Sequence, residues 1–110
     1  MEQAIVLNIK SRAEMLINAL LYKRIYSIKD IFVKPIYQNY FKFLDKLGKS
    51  KIQKYGHPLN VYFVSIQVME DDDDDFFYYF CEYHIKFQKH DFKCLIYLKR
   101  DYSIERIDIC

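Results

Sequence analysis

Tryptophan is missing from the chain, and glycine and proline occur only twice each. Residues suited to tight turns are therefore scarce. No apolar run approaches the ~20 residues that a helix needs to cross a bilayer. There is no Gly-rich phosphate loop, no nucleophile elbow and no HExxH pair, so the motif-borne chemistries of nucleotide, ester and metallopeptide hydrolysis have no carrier. The opening Met1–Lys10 lacks a basic leader, and Asn8 breaks its apolar stretch, so no secretory signal is expected there. The three cysteines, Cys81, Cys94 and Cys110, are an odd number without an export signal. The expectation is reduced thiols in a cytoplasmic protein.

What is present suffices for one core. The 110 residues are 52% hydrophobic and 29% charged, enough apolar surface to offset the entropy of ordering. The bias toward Ile, Lys, Tyr and Phe points to coding by an AT-rich genome, such as that of a low-GC bacterium, a virus or a mobile element. Charge is divided unevenly. Residues 1–58 carry 11 Lys/Arg against 4 Asp/Glu, and residues 59–110 carry 6 against 11. The expected organisation is a single domain, 1–110, with a helical half (1–48), a basic loop (49–60) and an antiparallel sheet (61–110).

In the first half, Ile9, Ala13, Leu16, Ile17, Leu20 and Leu21 make the stripe of an amphipathic helix; Ala4–Ile9 either extends it, the favoured reading, or forms a short edge strand. Ser27 and Asp30 approximate a capping box for a short helix from Ile28 to about Val33. Pro35 suits the first turn of a further helix, striped by Ile36, Tyr40, Phe43, Leu44 and Leu47 and ending at Gly48. The second half alternates with period two over Tyr62–Val68, Phe76–Gln88, Phe92–Lys99 and Ser103–Ile109. Pairing Ile66 with Tyr79, Val64 with Cys81, Tyr62 with Tyr83, Ile85 with Cys94, Tyr83 with Ile96 and Ile96 with Ile107 puts one consistent apolar face under the helices. The predicted fold is α+β, two to three N-terminal helices on one face of a four-stranded antiparallel meander. This element order resembles the layout of nuclear-transport-factor-2-like (NTF2-like) and cystatin-like domains, and the likeness implies a fold and nothing about catalysis.

The opposite face is expected to carry Phe63, Met69, Phe76, Tyr78, Phe80, Leu95, Tyr97 and Ile104, with Glu82, His84, Lys99, Arg106 and Asp108 among them. Glu82, Tyr97 and Arg106 fall in one cross-strand row. An aromatic patch of that size marks an interface. The acidic run Glu70, Asp71, Asp72, Asp73, Asp74 and Asp75 suits a basic partner surface. These features point to a non-enzymatic protein-binding module. Its contact residues are Phe63, Phe76, Tyr78, Phe80, Glu82, Leu95, Tyr97 and Arg106 together with the acidic run, and a homodimer through the same face is expected.

Other constellations are weaker. Cys81-x2-His84-x5-His90-x3-Cys94 has zinc-like donors, but the alternation turns the cysteines to one face and His84 to the other, so no metal site and no cofactor are expected. Glu82 and His84 share a face as an acid–base pair would. Two other readings are a pocket lined by Tyr62, Tyr79 and Tyr83, as in a ligand-binding protein or small enzyme, and nucleic-acid binding by the basic half. In the latter, Tyr22, Tyr26, Tyr37, Tyr40 and Tyr55 interleave with lysines.

Overall fold

A computed structural model describes residues 2–22, 25–32, 38–69 and 78–110. Helix α1 spans Gln3–Tyr22, a 3-10 segment spans Ile25–Ile31, and helix α2 spans Gln38–Tyr55. Strands β1 (Pro58–Val68), β2 (Tyr79–Phe87), β3 (Asp91–Leu98) and β4 (Ile104–Ile109) follow. They form one antiparallel sheet in the order β1-β2-β3-β4. The α+β arrangement of helices followed by a meander is thus the one the periodicity predicts, and Ala4–Ile9 is helical. No described helix is long and apolar enough to cross a membrane.

The core lies between the helices and one sheet face. From α1 it takes Ile9, Ala13, Leu16, Ile17 and Leu20. From the sheet it takes Cys81, Tyr83, Ile85, Cys94, Ile96, Leu98 and Ile107. Helix α2 does not stop at Gly48. Phe41, Leu44, Gly48, Ile52 and Tyr55 continue its inward stripe, and a Lys49–Asp45 pair at 2.9 Å ties successive turns. The expected basic loop is therefore helix up to Tyr55. The left-handed residue that ends it is Gly56 (φ +86°), whose N–H donates to the Ile52 carbonyl. Gly48 instead marks the point where α2 crosses α1. A Cβ there would sit 2.2 Å from the Leu20 carbonyl oxygen.

The register differs from expectation in two hairpins. Between β2 and β3 the pairing slips by two residues, giving Cys81–Ile96, Tyr83–Cys94 and Ile85–Phe92, which keeps every side chain on its expected face. Between β1 and β2 the pairing also slips by two residues near the hairpin end, Ile66 facing Cys81 and Val68 facing Tyr79, and an irregularity between Phe63 and Ser65 then inserts one extra residue. Beyond it Phe63 pairs with Tyr83 on the helix side, and Tyr62 pairs with His84 on the outer side. Tyr62 and Phe63 thus exchange faces relative to expectation, and Val64, expected in the core, is 44% exposed. The pairs Ile96–Ile107 and Cys94–Ile109 are as expected.

The two sheet edges differ. Phe32 bridges to Ile104 of β4, and the Ile107 N–H of β4 donates to the Tyr40 hydroxyl of α2 at 3.0 Å. No described strand pairs with the free side of β1.

Candidate functional site

Strand alternation presents Phe80, Glu82 and His84 of β2, Leu95 and Tyr97 of β3, and Arg106 and Asp108 of β4 on the face away from the helices. Phe80, Tyr97 and Arg106 make one row across three strands. The two rings lie 5.1 Å apart, and the Arg106 guanidinium sits 4.4 Å over Tyr97. A hydrogen bond to Tyr97 raises the pKa of Arg106 further above its usual value, favouring the charged form. Asp108 lies 3.3 Å from the same guanidinium. The neighbouring row is Glu82–Leu95–Asp108, and the His84 Nε2 lies 2.9 Å from a Glu82 carboxylate oxygen. Glu82 therefore does not share a row with Tyr97 and Arg106, because of the two-residue slip.

The expected contact surface is only partly assembled. Phe80, Leu95 and Tyr97 are half-buried against their neighbours, and Arg106 is exposed. Phe63 has moved to the helix side, its ring 5.6 Å from Tyr83 and 4.7 Å beneath the Lys10 ammonium. Ile104 is buried, since a further shift between Tyr97 and Leu98 turns it into the core. Tyr78 packs at the end of β2 against Tyr79, with the Arg100 guanidinium 4.4 Å over its ring. Phe76 and the acidic run Glu70–Asp75 lie outside the described residues.

A second feature is a cleft of about 300 Å³ between α1 and the β1–β2 hairpin. Lys10, Glu14 and Asn18, one turn apart along α1, face Val61, Phe63 and Tyr83. At its floor the Tyr83 hydroxyl donates to Glu14 Oε2 at 2.9 Å. Burial, and then the Glu14 carboxylate, push the Tyr83 pKa up, so the phenol stays a neutral donor. Of the three tyrosines expected around a pocket, only Tyr83 lines it. Tyr62 is on the outer face, and Tyr79 stacks on Tyr102 at the far end of β2. The interleaved tyrosines of the basic half divide similarly. Tyr40 and Tyr55 pack on the core, Tyr26 pairs with Phe41, Tyr22 is exposed, and Tyr37 lies outside the described residues.

Cys81 and Cys94 are buried on the core face, and His90 packs on Tyr55 and Phe92 in the β2–β3 turn. Among the described residues no three His, Cys, Asp or Glu side chains converge as metal ligands do. Burial pushes the Cys81 thiol up to about 12 and the Cys94 thiol higher still. At pH 8 a thiol reagent is expected to modify Cys110 in the native protein and to reach the other two only on unfolding. Folding raises both buried thiol pKa values above the ordinary 9.0. Their stabilising contribution is therefore complete below about pH 9 and is lost as pH rises toward 12. A melting temperature that falls over that interval, and falls less in Cys81→Ala, is the expected result.

No protein family model, curated protein or solved structure matches the chain.

Proposed function

We propose that the protein is a non-enzymatic protein-binding module that meets its partner through the outer face of the sheet. The observation that carries this reading is the Phe80–Tyr97–Arg106 row on the face that the helices leave uncovered. Aromatic residues and arginine dominate binding energy where they can be desolvated together. The ring pair and Leu95 suit an apolar anchor, and Arg106 beside them suits a carboxylate, so the partner surface is an apolar side chain flanked by Asp or Glu. The acidic run would act at longer range, steering encounter with a basic region of that partner. The composition fits a small viral or mobile-element protein that occupies a host protein in the cytoplasm.

The test is capture of the partner from the native host by the wild type and by a Phe80→Lys/Tyr97→Lys variant. The variant is expected to keep the wild-type melting transition and to lose at least about tenfold in affinity. A folded variant that captures the same partner as well as the wild type removes this face from the mechanism. Replacing Asp71–Asp75 by Ser and Gly is expected to lower the association rate at low salt and leave dissociation nearly unchanged.

The α1–hairpin cleft favours a second reading, a pocket for a small ligand. Its support is the joint presence of Lys10, Glu14, Asn18 and the Tyr83 hydroxyl around one opening. A metabolite that raises the melting temperature of the wild type but not of Glu14→Gln would favour it.

A further inference from the structure

Open sheet edges invite other strands, and folded proteins block them with charge, proline, bulges or a covering segment. Among the described residues only one edge of this sheet is blocked. Strand β4 is six residues long and carries Glu105, Arg106 and Asp108. Its outward side is occupied by the Phe32 bridge and the Tyr40 hydroxyl. Strand β1 is eleven residues long, and no charged side chain occurs from Pro58 to Met69. At its start the Asn60 side chain accepts from the Val61 N–H, which closes that position. Past the irregularity at Val64 no described residue pairs with the edge. The Met69 N–H donates to Tyr78, and antiparallel pairing alternates the direction of backbone groups. Ser65 and Gln67 therefore turn their N–H and C=O groups to β2, and Ile66 and Val68 turn theirs outward. Val64 and Val68, 44% and 38% exposed, flank these groups with apolar surface.

We propose that two copies of this chain join through β1, antiparallel about a two-fold axis, into one continuous eight-stranded sheet. Three observations favour a second copy as the occupant. In an isologous antiparallel contact residue i faces residue j and j faces i, so a strand carrying charge of one sign would repel its copy; β1 carries none. The blocked β4 edge stops growth at two chains, where an open second edge would propagate a fibre. Chain direction favours the antiparallel sense. Six acids follow β1 in the sequence, so parallel pairing of two copies would bring like charges together and antiparallel pairing keeps them at opposite ends. Such a pair would also set two Phe80–Tyr97–Arg106 rows on one side of a single sheet.

Sedimentation velocity from about 1 to 200 µM tests this, since a mass-action dimer must respond to concentration. The wild type is expected at twice the 13.5 kDa chain mass at the upper end. A Val64→Lys/Val68→Lys variant, which sets ammonium groups against each other across the axis, is expected at the single-chain mass throughout. The Phe80→Lys/Tyr97→Lys variant is expected to stay dimeric, which separates this contact from the partner-binding face. A wild type that stays monomeric overturns the proposal. So does a folded valine variant that still dimerises, or a dimer dissolved by the sheet-face lysines instead. Should the valine variant fail to fold, amide exchange on the wild type decides. Ile66 and Val68 amides are expected to exchange at least about tenfold faster on dilution, and concentration-independent exchange overturns the pairing.

Discussion

Ile96→Asp is expected to abolish the cooperative thermal transition, and Val64→Asp, at dilute concentration, is expected to keep it. Ile96 is fully buried, with Cys81 and Ile107 as its cross-strand partners. An aspartate there loses the burial of the isoleucine and places a carboxylate without a cation among apolar groups. Large-to-small core changes cost about 2–5 kcal/mol. An uncompensated buried charge adds roughly 3–5 kcal/mol. Together these approach the whole stability of a small domain, about 5–15 kcal/mol. Val64 sits beside the β1 irregularity and is nearly half exposed, so the same substitution leaves its carboxylate in water. Circular dichroism of the two variants reads the difference. A cooperative melt of Ile96→Asp at the wild-type temperature contradicts the core described here.

Gly48→Ala is the second large effect, and its sign is opposite to what helix propensity alone gives. Alanine is favoured over glycine in a helix interior by about 1 kcal/mol. The added Cβ, however, would meet the Leu20 carbonyl oxygen at 2.2 Å. That atom is backbone in α1 and cannot rotate aside, so the helices must separate over a core that contains Leu20 and Leu44. Overpacking costs about 1–3 kcal/mol and more where backbone must move, so the net change is destabilising. The expected melting temperature falls by several degrees, at about 4–8 °C per kcal/mol for a domain near this size. Gly48→Val falls further. An unchanged or raised melting temperature for Gly48→Ala is the contrary result.

Why the fold was readable and the site only partly so follows from the same features. Amphipathic stripes and two-residue alternation carry the helices and the sheet faces, and a slip of two residues between β2 and β3 leaves those faces intact. A single inserted residue does not. The irregularity at Val64 exchanges Tyr62 and Phe63, and the shift between Tyr97 and Leu98 turns Ile104 inward. Neither position carries a glycine that would mark it. Gly48 misled in the other direction, because a glycine needed for close helix approach has the same letter as one that ends a helix. Of the expected contact surface, Phe80, Leu95, Tyr97 and Arg106 were legible because parity alone places them. The cleft was not, since Lys10, Glu14 and Asn18 read as an ordinary solvated helix face until α1 is laid beside Phe63 and Tyr83.

The strand order has a kinetic consequence. Among the described strands each pairs with its neighbour in sequence, so every hairpin closes over a short stretch of chain and little loop entropy is lost at each step. The contacts that span the chain are those of the helices on the sheet, Tyr83 with Glu14 and Ile107 with Tyr40. Hairpin assembly can precede them, and helix docking is the step that must search the longest loops. Substitutions in the β2–β3 hairpin should slow folding, and loss of the Glu14 carboxylate or the Tyr40 hydroxyl should chiefly speed unfolding.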